Sequence, residues 1–146
     1  MAKTPNGSME EQEVNTVSRT SEKPSLLGRL LFGGMLAFTA INSFRNLDGQ
    51  VAYAEAKGVK NAGQLVPFSS GMLLVGSIGV ILWKVPKIAA GAIVAFLAAV
   101  TPTMHDFWNV DDGQKQNEMN HFIKNSALLG GALALLGRAF STTKSE

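Results

Sequence analysis

The feature that most constrains this chain is Leu65–Trp83, a run of nineteen residues without a charged side chain. A helix on the surface of a soluble protein shows polar side chains on one face, at a period of about 3.6 residues. This run has no such face. A membrane-spanning helix needs roughly 17–25 mostly apolar residues, so the run predicts a transmembrane helix.

Three further apolar segments have similar lengths: Leu26–Phe44, Ile88–Met104 and Phe122–Phe140. The first contains one charge, Arg29, and the second contains none. The third spans the membrane if Lys124 and Arg138, near its ends, extend their charged groups to the membrane surface. Charged residues make up 16% of the chain, against about 25% in soluble domains. The sequence therefore predicts an all-α integral membrane protein, a four-helix bundle within the lipid bilayer.

The segments outside these runs predict one short helix and two tails. Asp48–Gly58 is typical of a helix with Asp48 as its N-cap and Gly58 as its stop. It is too short and polar to span, so we expect it at the membrane interface, between the first and second spans. Residues 1–25 are rich in Ser, Thr, Glu and Asn and predict a disordered tail. This leaves 26–140 as the membrane domain and 141–146 as a C-terminal tail.

Lysine and arginine residues near the spans favour a cytoplasmic location for both termini. Seven of them fall on the side of the termini and five on the opposite side. The short turn with Lys84 and Lys87 lies on the majority side, and positive residues in short loops favour the cytoplasm. We therefore predict a multi-pass protein of the cell membrane with both termini cytoplasmic.

Small residues recur at every fourth position in the last two spans. The two stripes are Gly91, Ala95, Ala99 and Thr103, and Ser126, Gly130 and Ala134. Small side chains at this spacing let transmembrane helices approach closely. We expect the stripes to pack within the bundle, and homodimerisation through either stripe is the alternative.

Composition excludes several functions. The chain has no cysteine, so by itself it provides no disulfide, iron–sulfur cluster or thiol relay. Its net charge of +2 and its lack of a basic stripe alternating with aromatic residues argue against nucleic-acid binding.

Four blocks of the sequence resemble the DoxX family of small prokaryotic membrane proteins. In chain order they are GRLLFGGMLAFTAINSF, YAEAKGV, HDFWN and HFIKNSALLGGAL. The resemblance covers about residues 26–140 and implies a four-helix membrane bundle. It also implies a link to respiratory and redox chemistry, because the family is named after a subunit of an archaeal terminal quinol oxidase. Related proteins have thiosulfate:quinone oxidoreductase activity or belong to membrane oxidoreductase complexes.

The hairpin between the last two spans is the candidate site. His105 and Asp106 follow the third span, and Trp108 comes two residues later. His121 and Lys124 are three residues apart and share one face of the fourth helix. A helical hairpin brings these groups together, and His or Lys can donate to the carbonyl oxygens of a quinone while Trp108 stacks on its ring. We therefore predict these five residues as a cofactor-binding site and assign no catalytic residue.

Two other interpretations of the hairpin stay open. Aromatic and basic residues at a membrane boundary form an ordinary interfacial belt, in which Lys124 extends to water or pairs with Asp106 only to close the hairpin. The second alternative is a metal site. Its ligands would be His105, Asp106, Asp111 and His121.

Two functions remain. The first is an accessory or structural subunit of a quinone-linked respiratory or redox complex, with other membrane redox subunits as partners. The second is an oxidoreductase in its own right, acting on quinone at the hairpin. The lack of cysteine and of a nucleotide or flavin motif favours the first. The residues alone do not decide whether the chain is an enzyme, and quinone is its cofactor only by the resemblance.

Overall fold

A computed structural model describes residues 23–143, and within this range the secondary structure is entirely helical. The elements are α1 (Leu26–Arg45), α2 (Leu47–Ala56), α3 (Ala62–Leu82), α4 (Pro86–Met104), a 3-10 turn (Phe107–Asn109) and α5 (Asp112–Thr143). The predicted tail over 1–25 lies almost wholly outside the described residues. At the other end α5 continues past Phe140, the predicted end of the membrane domain.

Three helical segments are long and apolar enough to cross a membrane: α1, α3 and the segment Pro86–Asn109 that contains α4. The predicted all-α membrane fold is therefore confirmed. The fourth predicted span corresponds to the later part of α5, a helix of 32 residues whose first turns are polar. The count of four spans is supported only approximately, because α5 does not reach the same apolar length.

The long helices pack in chain order, with α1 against α3, α3 against α4 and α4 against α5, while α2 lies on α3. The buried core side chains are Leu36, Ala40, Leu73, Val80, Ala89, Ala90, Ile93, Leu97 and Ala132. Many large apolar side chains point outward instead, and Val75 and Ile88 are 72% and 75% exposed. An apolar exterior of this kind suits a lipid environment, since soluble monomers rarely expose large contiguous apolar patches.

Close helix contacts occur at glycines other than those of the predicted stripes. A Cβ atom on Gly79 would lie 2.6 Å from the Cβ of Ala89, and one on Gly33 would lie 2.9 Å from the Ser77 carbonyl oxygen. A Cβ on Gly91 or Gly130 would meet nothing within 4 Å. The predicted packing of the two stripes inside the bundle is therefore wrong, because the stripe residues mostly face outward.

The charge in the first apolar run has a structural reason. The guanidinium of Arg29 donates to the carbonyl oxygens of Ile81, at 2.6 Å, and Pro24, at 3.1 Å. Ile81 is in the last turn of α3, where carbonyl groups have no partner within the helix. Arg29 thereby gives a hydrogen bond to an otherwise unpaired carbonyl group at the end of α3 and links α1 to α3.

Two helix starts differ from the predictions. The residue at the N-cap of α2 is Asn46, and Asp48 lies within the first turn, where its charge favours the positive end of the helix dipole. Helix α5 begins at Asp112, ten residues before the predicted Phe122. A polar segment has no apolar periodicity to mark it as helical, but the Gln116 side chain donates to Asn120 one turn later, at 3.2 Å.

Candidate functional site at the α2 end of the bundle

Polar side chains from three helices meet at the end of the bundle where α2 lies. Tyr53 on α2 and Lys57 just after it are four residues apart and share one face. His105 and Asp106 follow α4, and Glu118 comes from the early turns of α5. These five residues are referred to below as the polar cluster.

An ion pair joins the end of α2 to the end of α4. Lys57 Nζ lies 2.6 Å from Asp106 Oδ1 and 3.9 Å from Glu118 Oε1. The Asn109 amide donates to the other oxygen of Asp106, at 3.3 Å. Burial alone would lower the pKa of Lys57, but the hydrogen bond to Asp106 and the nearby negative charges outweigh it and raise the pKa. Lys57 is therefore held in its charged form.

Glu118 is the most buried charged residue of the polar cluster and holds two partners. Its Oε1 accepts from the Tyr53 hydroxyl at 3.1 Å, and its Oε2 lies 2.8 Å from Nδ1 of His105. Burial favours the neutral acid, but these hydrogen bonds and the charge of Lys57 outweigh it, so the pKa of Glu118 is lowered. Glu118 precedes the apolar part of α5 and is held as a carboxylate.

The Tyr53 hydroxyl is near two acceptors, since the carbonyl oxygen of Met104 also lies 3.1 Å away. Burial and the carboxylate of Glu118 both raise the pKa of Tyr53. Tyr53 therefore stays a neutral donor, and it connects α2 to α4 as well as to α5.

The aromatic residues of the hairpin form two groups. The imidazole rings of His105 and His121 stack, with centroids 5.0 Å apart and planes inclined by 15°. Phe107, Trp108 and Phe122 make mutual edge contacts, with centroids 5.1–5.9 Å apart. Trp108 is 58% exposed, so much of its indole surface is accessible.

The structure places four of the five predicted site residues in the hairpin, and two of these four are in direct contact. His105 and His121 contact each other directly through their stacked rings. Asp106 and Trp108 lie in the same hairpin, but Asp106 pairs with Lys57 and Trp108 packs against Phe122. Lys124 is exposed and has no hydrogen bond or ion pair to any residue within 23–143. The ion-pair partner of Asp106 is Lys57, because the early start of α5 places Lys124 twelve residues into the helix.

Tyr53, Lys57 and Glu118 are not among the site residues predicted from the sequence. A signal existed for the first two, because they stand four apart in the block YAEAKGV, one of those that carry the family resemblance. Glu118 stands three residues before His121, but that spacing has meaning only on a helix, and the segment was not predicted to be one.

Two cavities flank this end of the bundle. The first is a mostly apolar groove of about 340 Å³ between α1, α2, α3 and α4, whose lining includes Ser43, Ala54, Ser70, Phe96 and Met104. The second, of about 320 Å³, lies over the ion pair and is lined by polar residues including Tyr53, Lys57, Asp106, Asn109 and Gln114. The alternative metal site does not assemble: over residues 23–143 no three His, Asp or Glu side chains are grouped to hold a metal ion.

These features define an all-helical membrane protein with a hydrogen-bonded polar cluster at one end of its bundle. The family model of DoxX matches residues 25–106, more than half of the chain, and the protein belongs to the DoxX family. The match ends at Asp106, so the resemblance of the last helix to the family stays a prediction. Neither the curated proteins nor the solved structures contain a match to this chain.

Proposed function

We propose that this protein is an accessory subunit of a quinone-linked membrane redox complex, and that a quinone-type ring binds at the stacked pair His105 and His121. The observation that carries the proposal is this pair itself. The two imidazoles stack 5.0 Å apart at one end of an apolar bundle. Phe122, the residue after His121, belongs to the aromatic group with Phe107 and Trp108. The family resemblance adds the link to quinone chemistry.

The residues present fit a quinone-type ring. Neither ring nitrogen of His121 has a hydrogen-bond partner within residues 23–143, so both are available to a ligand. Imidazole nitrogens donate to or accept from ring oxygens according to their tautomer. The accessible indole of Trp108 offers a face for stacking. A bound quinone would supply the electron-carrying ring, and this chain would hold and orient it.

A binding titration on matched variants tests this function. Purified protein in lipid nanodiscs is titrated with a short-chain benzoquinone and with its reduced form, while tryptophan fluorescence is recorded. His121→Phe keeps a ring stacked on His105 but removes both nitrogens. We expect it to weaken binding about tenfold, the scale of one or two lost hydrogen bonds. Lys124→Met removes a charge that lies outside the polar cluster. This variant should bind both ligand forms with the affinity of wild type.

The contrary outcome has a clear meaning. If His121→Phe and wild type bind both forms equally, or if neither binds either form, the polar cluster serves only to fasten α2 to the hairpin. The Lys57–Asp106 ion pair would then be its main element, and the protein would be a structural subunit without a ring site.

A further inference from the structure

We infer that the ring site selects the reduced, hydroxyl-bearing quinol over the quinone, with Glu118 as the positioning residue that sets this preference through His105. The inference rests on the proposed function, because it concerns the form of the ligand bound at the same pair of histidines. It concerns recognition alone and requires no electron transfer by this chain.

The first step is the location of the proton on His105. Its Nδ1 lies 2.8 Å from Oε2 of Glu118, a distance at which one of the two atoms must donate. A carboxylate only accepts. The pKa of Glu118 is lowered by hydrogen bonds that outweigh its burial, so the carboxylate is the form present near neutral pH. The proton therefore lies on Nδ1 of His105.

Tyr53 and Lys57 keep Glu118 in its ionised, accepting form. Its hydroxyl donates to the other carboxylate oxygen, Oε1, at 3.1 Å, and Lys57 places a positive charge 3.9 Å from the same oxygen. Both interactions stabilise the ionised carboxylate. With Glu118 fixed as an acceptor by groups from α2, neutral His105 has a single favoured tautomer, with its proton on Nδ1.

The second step concerns the other nitrogen of the ring. In a neutral imidazole with its proton on Nδ1, Nε2 carries a lone pair and only accepts. Nε2 of His105 has no hydrogen-bond partner within the described chain. The buried side-chain polar atoms that lack a partner in residues 23–143 are Trp83 Nε1 and Thr101 Oγ1, so Nε2 is not sealed inside the protein. An acceptor at the surface is thus available to a ligand.

The chemistry of the two ligand forms then decides the preference. A quinol offers O–H donors, which match an accepting Nε2. A quinone offers only carbonyl oxygens, and its lone pairs would face the lone pair of Nε2. Quinol is therefore the form that His105 recognises. A proton on Nε2 would favour quinone instead, but the hydrogen bond from Nδ1 to Glu118 opposes that tautomer.

Competitive titration of the two ligand forms tests the inference. A short-chain benzoquinol, kept reduced under anaerobic conditions, and the corresponding benzoquinone are titrated into wild type, Glu118→Gln and Glu118→Asp in nanodiscs. Wild type should bind the quinol about tenfold more tightly, the scale of one hydrogen bond. Glu118→Gln should lose the preference, because an amide can accept from Nδ1 or donate to it. Glu118→Asp should retain part of it.

A spectroscopic measurement on wild type keeps the inference testable if the Glu118 variants do not fold. The ¹⁵N chemical shifts of His105 should show a protonated Nδ1 and a bare Nε2 near neutral pH. The opposite tautomer, or a ring protonated at both nitrogens so that Nε2 donates, would overturn the inference. Equal or tighter binding of the quinone, still weakened by His121→Phe, would overturn it while leaving the proposed function intact. Binding of neither form would overturn both.

Discussion

At the scale of single residues, Glu118 holds the polar cluster together. It accepts from Tyr53, pairs with His105 and lies near the charge of Lys57, so the end of α2 and the end of α4 both meet on one carboxylate of α5. A buried carboxylate with these partners is stable only while it is ionised, since the protonated acid loses one acceptor site and the attraction of Lys57. The stability of this end of the bundle should therefore depend on pH.

We expect acid to loosen the hairpin through Glu118. Its pKa in the folded protein is lowered from the ordinary value of 4.5, so its contribution to stability is complete above that value. The contribution is lost as the pH falls from there through the folded pKa. Thermal melts in detergent between pH 3 and pH 7 are the measurement. The Tm of wild type should fall more steeply than the Tm of Glu118→Gln on the acid side, and parallel curves would contradict this role.

At the scale of elements, the sequence predicts the first three spans well and the polar start of α5 poorly. Leu65–Trp83 and Ile88–Met104 match α3 and α4 within a few residues, because unbroken apolar length is a sufficient signal in a membrane protein. The first ten residues of α5 carry no such signal. Their helical state depends on tertiary contacts such as those of Glu118, which no local pattern reveals.

In the candidate site, too, one contact is predictable from the sequence and another depends on tertiary packing. Proximity of His105 to His121 follows from the hairpin alone, because it needs only two helices joined by a short connection. The partner of Asp106 does not follow, since Lys57 is 49 residues away along the chain and α2 must first lie across the end of the bundle. Packing of the short helix α2 is therefore the information that the sequence lacked.

The close approach of α3 and α4 gives a prediction at this scale. Gly79→Leu should lower the Tm strongly, because its Cβ alone would lie 2.6 Å from the Cβ of Ala89 and overpacking commonly costs about 1–3 kcal/mol or more. Gly91→Leu adds the same side chain on α4 where nothing lies within 4 Å, and it should melt as wild type does. Equal Tm values for the two variants in detergent would contradict this packing.

At the scale of the whole molecule, the positions of the charges predict the orientation. The turn with Lys84 and Lys87 lies at the opposite end of α3 and α4 from the polar cluster. If positive residues of short loops stay in the cytoplasm, the polar cluster faces the outside. A ligand would then meet the site at the outer boundary of the bilayer.

Cysteine labelling in intact cells tests this orientation, since the natural chain has no cysteine. Ser141→Cys and Gln114→Cys place single thiols at exposed positions at the two ends of α5. A membrane-impermeant maleimide should label Gln114→Cys in intact cells and Ser141→Cys only after the membrane is opened. Labelling of both variants from outside would show that the predicted topology is wrong.

The most direct test of the central claim, a ring site at His105 and His121, is photolabelling with an azido-benzoquinol in nanodiscs, followed by peptide mapping. We expect the label to concentrate in residues 104–125, excess unlabelled quinol to prevent labelling, and His121→Phe to reduce it. Label spread evenly over the lipid-facing surfaces of α1, α3 and α4, insensitive to competitor and to His121→Phe, would contradict the claim.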